Sequence, residues 1–107
     1  MHNYILDGTT PVLEPDLLAW ARWYATADRV VEQTEIAEGI LVSTVFLGID
    51  HQLPWLTGQP VLFETMVFGG PPSIHQRCWR YRTWQEAEQG HARVCAVLRR
   101  FFARKRR

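Results

Sequence analysis

The spacing of apolar residues along this chain changes from strand-like to helical and back, and those changes set out the expected elements. Tyr4-Ile5-Leu6 is a short apolar run stopped by the turn pair Asp7-Gly8, which fits one short strand. Glu14-Pro15-Asp16 reads as a helix start, because proline suits the first turn and acids suit the N-terminal dipole. Leu17, Trp20, Ala21, Tyr24 and Ala25 then recur at helical spacing and predict a helix to about Ala27, with Trp23 off the stripe.

Residues Arg29–Thr34 and Ile40–Leu47 are rich in β-branched side chains, and Ala37-Glu38-Gly39 between them supplies a turn, so the pair reads as a hairpin. The second strand is apolar on both faces, which marks it as central. Val61–Phe68 pairs next, Gly69-Gly70-Pro71-Pro72 forces an irregular connection, and Arg77–Tyr81 reads as a last strand. Thr83-Trp84-Gln85-Glu86 is a capping box. Behind it runs a helical stripe of Trp84, Ala87, His91, Val94, Cys95, Leu98, Phe101 and Phe102. Gly90 inside that helix costs about 1 kcal/mol against alanine, which points to a close backbone contact there. The ARKRR tail is expected to fray. The order β-α-β-β-β-(β)-α predicts one α+β domain over residues 1–107: an antiparallel sheet of four to five strands with both helices on one face.

With 107 residues the chain is long enough to bury a core without metal or disulfides. It has no run of about 18 apolar residues, and its N-terminus has no basic-then-apolar signal. Two cysteines make no disulfide framework, so a reducing cytoplasm is expected and no membrane partner. The net charge of +1 hides a division. Before Arg77, nine acids face Arg22 and Arg29, a balance of −7; from Arg77 onward, ten basic residues face Glu86 and Glu88, a balance of +8. Such a molecule steers an anionic partner to one end or pairs head to tail with itself.

Candidate chemistry sits on either side of the predicted sheet centre. Asp50-His51 ends a strand, but neighbours on extended backbone point apart, so loop capping or ligand contact fits better than a catalytic dyad. Glu64 lies in an apolar strand and needs water, a ligand, or a partner among Arg77, Arg80 and Arg82. Trp79-Arg80-Tyr81-Arg82, with Trp84 and the arginine-rich end, interleaves rings with guanidinium groups, a pattern suited to bases and phosphates and equally to rings packed on a sheet with arginines in water. Trp55, on the loop QLPWLTGQP, is either an interaction hot spot or a plug on the sheet edge. His75 with Cys78, and His91 with Cys95, have short spacings that suggest zinc. Their mixed His-Cys order departs from familiar sites, and no metal or other cofactor is expected.

The segment STVFLGIDH, a variable loop, and then LFETMVFG resembles small phage- and prophage-encoded proteins of unassigned function. NYILDGTTPVLEPDLLAWARWYATADR and RYRTWQEAEQGH resemble the same group, so the likeness covers nearly the whole chain. It implies a phage accessory protein in the host cytoplasm that engages a host component, with no catalytic residue to carry over. The expected role is non-enzymatic: a host-defence antagonist that sequesters a small nucleotide signal or blocks a host protein surface, through His51, Trp55, Glu64, Arg77, Arg80 and Arg82. Sequence-specific nucleic-acid binding is not expected. The alternatives are an assembly protein that forms homo-oligomers and a small hydrolase using His51.

Overall fold

The computed structural model describes residues 2–53 and 58–105. Six strands and two helices follow one another as β1 (Tyr4–Asp7), β2 (Thr10–Leu13), α1 (Leu17–Thr26), β3 (Val30–Ala37), β4 (Ile40–Phe46), β5 (Phe63–Phe68), β6 (Cys78–Tyr81) and α2 (Trp84–Lys105). The class is α+β, as the periodicity predicts. The strands divide into an antiparallel β3-β4-β5-β6 sheet and a separate β1-β2 hairpin. Tyr4–Leu6 therefore pairs with Thr10–Leu13 instead of joining the main sheet. The second strand of this hairpin is hidden in the sequence because Pro11 interrupts it. The hairpin touches the main unit through a bridge from Asn3 to Ile49 and the Tyr4 amide donating to the Gly48 carbonyl at 2.8 Å.

Strand register explains where the core lies. Val42 pairs with Val67, Thr44 with Thr65, and Phe46 with Phe63. All six side chains face α2, because strand side chains alternate, and all six are completely buried. Helix α2 crosses them with matching steps: Ala87 lies in the cluster of Phe46, Leu62 and Phe63, while Val94, Cys95 and Leu98 lie in the cluster of Val42 and Val67. Burial of each large apolar side chain contributes about 1.5–3 kcal/mol. Helix α1 reaches the same apolar layer through Trp23, whose ring meets Phe46 edge-on with centroids 5.8 Å apart.

That contact corrects the expected α1 stripe. The inward side carries Trp20, Trp23 and Tyr24, whereas Leu17 is 63% exposed. The helix begins at Leu17, with the Asp16 carboxylate accepting from the Leu18 and Ala19 amides, so Asp16 is the cap and not a first-turn residue. The capping box at Thr83 forms as expected, with the Glu86 amide donating to Thr83 Oγ1 and Glu86 accepting from the Thr83 amide. Helix α2 extends through Lys105, so the first residues of the basic tail lie on its last turn.

Candidate functional site

Two concave regions meet at the start of α2. The first, of about 350 Å³, is lined by Tyr4, Thr10, Gln59, Leu62, Arg82 and Trp84 among others. The second, of about 340 Å³, is lined by His51, Gln52, Arg80, Arg82 and Glu86 among others. Arg82 belongs to both.

The fold holds each side chain by a definable contact. Phe63 pairs with Tyr81, so β6 ends level with the start of β5 and delivers Arg82 to the loop after β4. There Arg82 Nη1 donates to Gln52 Oε1 at 2.7 Å. The loop is shaped by Asp50, whose carboxylate accepts from the amides of Gln52 and Val61, both at 2.9 Å. His51 turns the other way, with Nδ1 2.7 Å from the Ile49 carbonyl. Asp50 and His51 therefore cap the loop separately, and no hydrogen bond joins them. Arg80 donates through Nε to Glu64 across the strand pair at 2.9 Å; the Glu64 side chain is 12% exposed and that of Arg80 is 47% exposed. Trp84 rests edge-on against Phe63, which fixes one wall of the first hollow.

The residues expected from sequence thus separate. His51, Arg80 and Arg82 come together. Glu64 lines neither hollow and serves as the anchor of Arg80. Arg77 lies at the other end of β6 from Arg82 and also lines neither hollow. Trp55 falls outside the described residues. Trp84, which belongs to the ring-and-guanidinium pattern of the sequence, lines the first hollow, whereas Tyr4 and Gln52 carry no such signal. Tyr4 belongs to a hairpin whose placement depends on a long-range bridge.

The His-Cys pairs do not form one site. Cys78 pairs with Met66 on the sheet face turned away from α2, while His91 and Cys95 are buried beneath α2 on the opposite face. His75 Nδ1 accepts from the Gly69 amide at 2.9 Å. Among the described residues no group of three or more His, Cys, Asp or Glu side chains is placed to hold a metal ion.

His91 instead completes a polar row inside the core. Its Nδ1 lies 2.7 Å from Thr44 Oγ1, which lies 2.5 Å from Thr65 Oγ1. Its Nε2 lies 2.9 Å from both Thr34 Oγ1 and the Glu32 carboxylate. A neutral ring satisfies every group: Thr65 donates to Thr44, Thr44 donates to Nδ1, and Nε2–H faces Glu32 and Thr34. Burial pushes the pKa of His91 below its ordinary 6.5, against the pull of Glu32 and together with the push of Arg99. Burial likewise pushes the Cys95 thiol up, opposed by its hydrogen bond to Thr34. The order hydroxyl, imidazole, carboxylate looks like a nucleophile with its base. Thr44 and His91 are both wholly buried, however, and line neither hollow.

Compared with family models, curated proteins and solved structures, the chain matches none of them.

Proposed function

We propose that this chain is a non-enzymatic phage accessory protein that sequesters a small nucleotide signal of its host in the cleft around Arg82. One observation carries the reading: a guanidinium shared by two adjoining hollows, one with the rings of Tyr4 and Trp84 in its walls and the other with His51 and Arg80. Rings offer stacking surfaces to any base, and arginines pair with phosphate through paired donors. Asp50 bonds to backbone amides and not to His51, so the two form no dyad and the hydrolase alternative would rest on His51 without Asp50.

The reading predicts that cyclic or ADP-ribose-derived nucleotides raise the melting temperature. A ligand at 100 times its Kd adds about 2.7 kcal/mol, which moves the transition of a domain this size by several degrees. Arg82→Ala is expected to abolish the shift. If no member of a broad nucleotide panel moves the melting temperature, the proposal is wrong.

A second reading, that the chain blocks a protein surface, draws on a different place. Val12, Leu13, Leu17 and Leu18 are each 41–67% exposed around the β2–α1 junction, interspersed with Glu14 and Asp16. An apolar patch rimmed by charge suits a protein partner.

A further inference from the structure

We infer that the two hollows divide one ligand between them, the base and sugar entering the Tyr4–Trp84 side and the phosphate entering the His51–Arg80 side. This inference rests on the nucleotide reading and specifies the ligand and its orientation.

The two linings differ in their side chains. Among the described residues that line the first hollow, Arg82 is the one that carries charge; the others are rings, aliphatic side chains, threonines and glutamines such as Thr10, Gln59 and Gln85. Such a wall contacts a flat base and supplies neutral donors and acceptors for sugar hydroxyls. Among the described residues that line it, the second hollow carries two arginines, Arg80 and Arg82, with His51 and one acid, Glu86. One oxygen of Glu86 is engaged by the Arg82 amide and by both the amide and the hydroxyl of Thr83. The other nearby acid, Glu64, is held by Arg80 Nε. Arg80 and Arg82 are balanced by Glu64 and Glu86, so what this hollow adds over the first is a second guanidinium, that of Arg80, whose N–H groups suit phosphate oxygens.

Size makes the same division. Each hollow stands near the lower limit of ligand pockets, roughly 300–1,000 Å³. One hollow takes one end of a nucleotide, and Arg82, steadied by Gln52 at 2.7 Å, stands where the two ends join. A nucleoside alone or inorganic phosphate alone fills half the site. Joining the two ends makes the second contact intramolecular, so a nucleotide gains affinity over either piece.

Titration calorimetry with adenosine and guanosine 5′-monophosphates, their nucleosides and inorganic phosphate tests the division. The better nucleotide is expected to bind at least tenfold more tightly than its nucleoside or than phosphate. His51→Ala changes an exposed residue, and Arg80 is replaced together with its partner in Arg80→Ala/Glu64→Gln so that no partly buried carboxylate is left unpaired. Both variants are expected to lower nucleotide affinity to that of the nucleoside and to leave nucleoside binding unchanged. Thr10→Trp, at an exposed strand position, is expected to fill the first hollow and abolish nucleoside binding while phosphate still binds. Nucleotide binding that is indifferent to Arg80→Ala/Glu64→Gln and His51→Ala overturns the orientation and leaves the nucleotide reading standing. Absence of binding by every nucleotide overturns both.

Discussion

At the scale of single residues, the informative feature is a histidine that the fold keeps neutral. Sequence alone places His91 on the apolar stripe of α2 and suggests a hydrogen-bonded core residue. Its partners were not legible, because Thr34, Thr44 and Thr65 come from three different strands that only register brings under one turn of helix. Protonation would leave Nδ1–H facing a hydroxyl that already donates to it, and the Thr65–Thr44 chain would have to reverse within a fully buried site. The folded pKa is depressed, so the stability associated with a neutral His91 is complete above pH 6.5 and is lost as pH falls below it, where the unfolded chain takes up a proton that the folded ring refuses. Denaturant unfolding at pH 7.5 and 5.5 is expected to show a loss of about 1 kcal/mol that His91→Gln removes. An identical loss in the variant would mean that carboxylates elsewhere cause it. At pH 7.5, His91→Ala is expected to cost about 3–5 kcal/mol, from the cavity and from the orphaned Thr44 hydroxyl.

At the scale of elements, the β3–β4 hairpin, both neighbouring strands and α2 were readable, since local period, a glycine turn and a capping box agree there. The places where reading failed are those where packing decides. Helix α1 has apolar residues all round, so its period could not choose between the Leu17 side and the Trp23 side; Phe46 made the choice. Gly90 is the reverse case, because a helix-weakening residue correctly signalled a close approach. A Cβ built there would lie 2.2 Å from the Tyr81 ring. In an exposed helix, Gly→Ala stabilises by about 1 kcal/mol. Here Gly90→Ala is expected to destabilise by about 1–3 kcal/mol, because the ring must move or α2 must lift from β6. A melting temperature equal to or above that of the parent protein would show that Tyr81 swings away freely. Since Tyr81 also lines the second hollow, the same variant is expected to weaken nucleotide binding more than its modest stability loss accounts for.

For the molecule as a whole, the uneven charge decides between a lone binding module and an assembly. The last apolar residue that packs on the core is Phe102, so Arg104 and Lys105 extend the basic end of α2 beyond it. Attraction between that end and the acidic first two-thirds of another copy acts through solvent. It fades beyond a Debye length of about 8 Å at physiological ionic strength. An apolar interface built on Leu17 and Leu18, or on the uncovered sheet face with Phe68 at 41% exposure, has no such salt dependence. The three possibilities therefore separate on one axis. Sedimentation at 150 mM salt is expected to give a single species at the 12.5 kDa mass of one chain, with any association confined to low ionic strength. A dimer that survives 0.5 M salt and disappears in Leu17→Glu or Phe68→Glu would identify an apolar interface and favour the assembly alternative over sequestration. A monomer at every salt concentration would count against the assembly alternative, whose interface needs a second copy.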